Sequence, residues 1–100
     1  MKPLLRRRTS VSAGEFPQLV KATWPFGKVT MYEDVLVLDA GMETYTLAYA
    51  DIDDMEFNAL QVIVNHHDST VPKDLTIDGP LVKRAIRQAI TMHRLPIDMK

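Results

Sequence analysis

Cysteine is absent from the chain, which excludes disulfides, a thiolate nucleophile and any cysteine-ligated zinc site. Such a composition suits a reducing compartment, and a cytoplasmic location is the expectation. Long apolar runs are missing too: no stretch approaches the ~18 residues that a membrane-spanning helix needs. Behind its basic start, Met1–Pro17 lacks the apolar segment of a secretory signal. Glycine is scarce, with four residues, and none of them builds a phosphate-cradling loop. Lysine and arginine are absent between Val29 and Pro72, a stretch holding Glu33, Asp34, Asp39, Glu43, Asp51, Asp53, Asp54, Glu56 and Asp68. A nucleic-acid reader carries a continuous basic surface over its core, so this acidic centre argues against nucleic acid as a partner.

What is present fits one domain. A chain of 100 residues with 46% apolar and 25% charged side chains can bury a single core and has little room for a second unit. The net charge of −1 hides a division into ends and middle: Lys2, Arg6, Arg7 and Arg8 at the start, and Lys73, Lys83, Arg84, Arg87, Arg94 and Lys100 in the last quarter. Residues 1–17 read as a flexible basic arm. After the arginines they are dominated by Ser, Thr, Gly and Pro without a period, and too little apolar surface is offered to offset the entropy of ordering them. Residues 18–100 read as the folded domain.

Alternation and β-rich composition in that domain predict strands over Leu19–Trp24, Lys28–Tyr32, Thr44–Tyr49, Asp51–Phe57, Leu60–His66 and Lys73–Ile77, and the continuous apolar run Val35–Leu38 predicts one buried on both faces. Pro25-Phe26-Gly27 breaks the first from the second, and Asp39–Glu43 makes a tight hairpin with Gly41 free to take positive φ. Asp78-Gly79-Pro80 is a helix start. Leu81, Val82, Ala85, Ile86, Ala89, Ile90 and Met92 then follow at helical spacing, with Lys83, Arg84, Arg87 and Gln88 off the stripe and Pro96 as the stop.

Two stretches carry a family likeness. Ala22-Thr23-Trp24-Pro25-Phe26-Gly27-Lys28-Val29-Thr30 resembles the first hairpin of bacterial pleckstrin-homology-like domains, and Tyr45-Thr46-Leu47-Ala48-Tyr49-Ala50-Asp51-Ile52 resembles their fourth strand. The likeness runs from Leu19 to about Leu95. It implies a mainly β (α+β) fold, a split barrel of about seven antiparallel strands in two near-orthogonal sheets, closed by one C-terminal helix. Phosphoinositide binding, which the family uses elsewhere, is not expected here. The first loop supplies Lys28 alone, and the loops expected beside it add Asp39, Glu43, Asp68 and Lys73, a set that repels a multiply charged headgroup.

No catalytic, cofactor or metal residues are assigned. His66-His67-Asp68 has the look of a ligand cluster, but neighbours on a strand point to opposite faces. Asp51, Asp53, Asp54 and Glu56 read as solvated acids at a strand entry rather than an acid–base pair. Ser10, Ser12 and Ser69 lack a nucleophile elbow. Trp24, Tyr45 and Phe57 are expected in the core, whereas Phe26 at a hairpin tip is expected to stay outside and to anchor a contact. The expectation is therefore a non-enzymatic binding or scaffolding module acting by protein contact or self-association, through a sheet edge or the loops around Phe26, with Phe26 and Lys28 as partner-contact residues. The alternative is weak peripheral contact with an anionic membrane through Lys2, Arg6, Arg7 and Arg8 in the arm, where Arg-Arg ahead of Thr9 and Ser10 also resembles a basophilic kinase site.

Overall fold

The computed structural model describes residues 2–15 and 17–100. Seven strands are followed by one helix: β1 (Leu5–Ala13), β2 (Val20–Met31), β3 (Val35–Ala40), β4 (Thr44–Ala48), β5 (Ile52–Phe57), β6 (Gln61–His66), β7 (Leu75–Asp78) and α1 (Pro80–Met92). All strand pairs are antiparallel, in the order β4-β3-β2-β1-β7-β6-β5. The sheet curls into a half-barrel that α1 closes, which is the mainly β, pleckstrin-homology-like split barrel. Its hydrogen bonding is continuous: β1 is the seam, paired with β2 on one side and with β7 on the other.

The flexible arm is corrected by this arrangement. Residues 5–13 form the central strand, and only Met1 and Phe16 of residues 1–17 lie outside the described residues. Leu5, Thr9, Val11 and Ala13 point inward, while Arg6, Arg8, Ser10 and Ser12 take the outer face. Alone, the segment buries too little to hold itself. Between two neighbours it gains a ladder on both sides, and Val11 and Ala13 become fully buried.

A second correction concerns β2. The two strands expected at Leu19–Trp24 and Lys28–Tyr32 are one strand, so the total of seven arises from one strand gained in the arm and one lost by this merger. Trp-Pro-Phe-Gly is no hairpin tip. Val11 pairs with Ala22 and Thr9 with Gly27, so Thr23, Trp24, Pro25 and Phe26 all stand opposite Ser10 alone. The extra residues leave the ladder as a wide bulge, and the Trp24–Pro25 peptide is cis. Pro lacks the N–H a ladder needs, and the bulge removes that demand.

The β3–β4 hairpin turns at Gly41-Met42, with Gly41 at φ 82°. Val35–Leu38 is buried on one face, with Leu36 and Leu38 inside and Val35 and Val37 only half-covered. One helical turn at Tyr49–Asp51 joins β4 to β5 and buries Tyr49, whose hydroxyl donates to the Tyr32 carbonyl. Beyond the helix, Asp98–Lys100 runs parallel to the outer edge of β5, with Met55 N–H on Asp98 O and Lys100 N–H on Met55 O, both 2.8 Å.

α1 presents Val82, Ile86, Ala89 and Ile90 to the barrel, with Ala85 half-buried beside them. Each large apolar side chain so buried contributes about 1.5–3 kcal/mol. Leu81 and Met92, expected on the same stripe, are 81% and 74% exposed at the two ends of the helix. Among the described residues no helix is long and apolar enough to cross a membrane.

Candidate functional site

Bulging β2 changes what its side chains face. In a regular strand Trp24 would follow Ala22 into the core. Here the bulge turns it outward, and Trp24 and Phe26 are 66% and 77% exposed. The Trp24 N–H donates to the Ser10 hydroxyl at 2.8 Å, which ties the bulge to the central strand. Phe26 is exposed as expected; Trp24, expected in the core, is not. Tyr45 and Phe57 are half-buried against the core. The bulge was nonetheless signalled in the sequence, because a proline inside an alternating run marks a bulge or an edge.

The cations lie differently from expectation. Strand alternation places Arg8 on the outer face, directly opposite Lys28, which in turn pairs with Asp39 and that with Thr44. Lys28 Nζ is 3.7 Å from Asp39 Oδ2, and the Thr44 hydroxyl donates to Asp39 Oδ1 at 2.6 Å. Arg8, Phe26 and Lys28 line one open cleft with Asp39 and Gly41, and Trp24 shares the next one with Arg8, Pro80 and Leu81. Phe26 also borders a depression with Leu19, Lys21 and Met42, the last 99% exposed. The structure thus brings Arg8 to the Phe26–Lys28 pair. Arg6 shares its face and reaches the Tyr32 hydroxyl at 3.4 Å. Arg7 is on the other side, beside Ala85, Gln88 and His93 of the helix end. Lys2 is exposed ahead of β1. The three arginines of the supposed tail are therefore divided between two faces.

The kinase-like sequence is likewise locked into the sheet. Thr9 is 2% exposed, and its hydroxyl donates to the Asp78 carbonyl. Ser10 holds the bulge.

No family model and no curated protein matches the chain. Among solved structures, the C-terminal domain of an unknown protein from Leishmania infantum is similar in shape, with a TM-score of 0.63 over 93% of this chain and 84% of that one. At 11% identity the likeness shows the fold alone.

The histidines and acids on β5 and β6 are engaged with one another. His66 is buried, its Nε2–H donates to Pro72 O at 2.8 Å, and its Nδ1 accepts from Asp68 N–H at 3.1 Å. His67 points the other way, with Nδ1 2.8 Å from Asp53 and Nε2 3.5 Å from Asp51. Asp53 is the extra residue of a β5 bulge, since Ile52 pairs with His66 and Asp54 with Asn65. The hydrogen bond that His67 Nδ1–H donates to Asp53 raises the His67 pKa above its ordinary 6.5, helped by the charges of Asp53, Asp51 and Asp68 and opposed by partial desolvation. Asn65 donates to both Asp54 at 2.6 Å and Glu56 at 2.7 Å, and its bond holds the Asp54 carboxyl below the usual range. Asp68 is lowered in the same way by Thr70. Asp68 and Lys73 share a cleft with these histidines, apart from the cleft of Lys28 and Asp39, so the loops expected around one barrel end line two separate clefts. Among the described residues no three His, Asp or Glu side chains come together as metal ligands, and no buried side-chain polar atom lacks a partner.

Proposed function

We propose that the chain is a non-catalytic binding module that docks another protein through the Trp24–Phe26 bulge. The observation that carries this reading is two aromatic side chains held out of the barrel by a bulge of four residues opposite one, beside the cations Arg8 and Lys28. Exposed Trp and Phe supply large rigid contact area, and Arg is enriched with them at binding hot spots. A partner surface with an apolar pocket rimmed by acidic groups complements this face.

The test is affinity capture with wild type and with a Trp24→Ala/Phe26→Ala double variant whose folding is checked by circular dichroism. Both side chains are exposed, so the fold should persist while specifically captured proteins drop away. An unchanged capture profile from a folded double variant would overturn the reading. A second reading, contact with an anionic membrane, is favoured by Arg6 and Arg8 sharing the outer face with the aromatics rather than by any tail. It requires salt-sensitive vesicle binding that is lost on Arg6→Ala/Arg8→Ala.

A further inference from the structure

The seven-stranded sheet has two edges, and they are finished in opposite ways. The β5 edge is guarded. It is bulged at Asp53, carries Asp53, Asp54 and Glu56, and is covered by Asp98–Lys100, with Phe57 N–H donating to Lys100 O at 2.9 Å and Lys100 Nζ 3.2 Å from Asp54. The β4 edge has none of these devices. Thr44-Tyr45-Thr46-Leu47-Ala48 contains no charge and no proline, and its register with β3 is unbroken. An extended neutral edge of this kind is a template for another strand, and proteins that stay monomeric usually blunt it.

The hydrogen-bonding phase says which groups are open. Ala40 N–H donates to Glu43 O at 2.8 Å and Tyr49 N–H to Asp34 O at 3.1 Å. In an antiparallel ladder bonded pairs alternate, so Glu43, Tyr45, Leu47 and Tyr49 turn their backbone groups toward β3. The N–H and C=O of Thr44 and Thr46 and the N–H of Ala48 therefore face away, without a partner among the described residues. We infer that this edge pairs with the same edge of a second copy of the chain, antiparallel, with Thr46 on the two-fold axis.

Self-complementarity is what selects a second copy. With Thr46 facing itself, each Thr46 N–H meets the other Thr46 C=O, and each Ala48 N–H meets a Thr44 C=O of the second copy. All four bonds use groups that are open in the single chain. On the outer face Thr46 then stands against Thr46, a favourable cross-strand pair, and Thr44 stands against Ala48. On the inner face half-buried Tyr45 comes beside Leu47 of the second copy. No charged residue on either strand opposes another. The contact is a five-residue strand on each side, which is small for a permanent interface, so a concentration-dependent monomer–dimer exchange is expected. It uses a different part of the sheet from the Trp24–Phe26 contact, which β3 separates from it.

Analytical ultracentrifugation of the full chain tests this, with circular dichroism as the check on folding. Wild type should shift from monomer to dimer mass as concentration rises from micromolar toward millimolar. Thr46→Pro removes the outward N–H that the axis needs, at an edge position where proline is tolerated, and should stay monomeric. Thr46→Lys and Thr46→Glu should each be monomeric, because like charges meet on the axis, whereas an equimolar mixture should recover the dimer. If Thr46→Pro misfolds, the charge pair alone decides. Trp24→Ala/Phe26→Ala should dimerise as wild type does. A wild type that is monomeric to millimolar, single charge variants that dimerise undiminished, a mixture that fails to recover, or a dimer lost only with the aromatic variant would each overturn the inference.

Discussion

A methyl group on Gly27 would collide with the carbonyl oxygen of Thr9, and would also sit 3.0 Å from the Val11 nitrogen and 3.1 Å from the Ala22 carbonyl. Gly27 is where the bulge rejoins the ladder, and backbone from β1 and from the first part of β2 closes on it there. Every neighbour is backbone, so none can swing aside as a side chain would. Gly27→Ala should therefore cost about 1–3 kcal/mol, the range for forcing extra volume into packed structure. Denaturant midpoints measure the loss. The single tryptophan, Trp24, reports the cause, because its emission should change as the bulge shifts. A variant within about 0.5 kcal/mol of wild type, the range of an ordinary surface change, would show that the junction is looser than described.

Neighbouring positions on α1 make a second test. Ile86 is fully buried at the centre of the helix stripe. Ile86→Ala should cost about 2–5 kcal/mol through lost transfer energy and the cavity left behind. Arg87 is exposed, but its guanidinium carbon lies 4.9 Å from the Phe57 ring centroid. Arg87→Ala should cost about 0.5–1 kcal/mol, the value of an exposed cation–π contact. The small Arg87 effect should vanish in a Phe57→Leu background. Equal losses at the two positions would mean that the helix packs with another face.

The His67–Asp53 contact predicts a pH dependence of defined sign. Its raised folded pKa means that the contact stabilises the fold in full below the ordinary value of 6.5, and that this contribution is lost as pH rises through the folded value. A proton NMR titration should place the His67 midpoint above 6.5 and bring it down in Asp53→Asn. The stability gap between wild type and Asp53→Asn should be wider in mildly acidic than in mildly alkaline buffer. A His67 midpoint at or below the ordinary value would contradict the geometry.

How far these features were legible in the sequence depends on the range of the interactions behind them. Val62 and Val64 on β6, Leu75 and Ile77 on β7, and Val82, Ile86, Ala89 and Ile90 on α1 follow periods of two and 3.6 set by backbone geometry, so alternation and stripe locate them without any partner. Gly41 announces its turn because positive φ is local, and His66 and His67 face apart because they are consecutive residues where β6 ends. The mainly β fold closed by one helix was determined at this level.

Other features belong to the tertiary structure. Leu5–Ala13 is weakly apolar and becomes the central strand only because β2 on one side and the sequence-distant β7 on the other pair with it. The side to which Trp24 turns depends on a register in which Ser10 faces four residues, and that is a property of the pair of strands, not of β2. The difference between the two sheet edges likewise appears only once Asp98–Lys100 has folded back onto β5 and left β4 bare. Period and turn chemistry act between residues a few positions apart, and a single chain displays them. Strand pairing is decided by the competition of distant segments for the same hydrogen bonds and the same core, and only the folded chain resolves it.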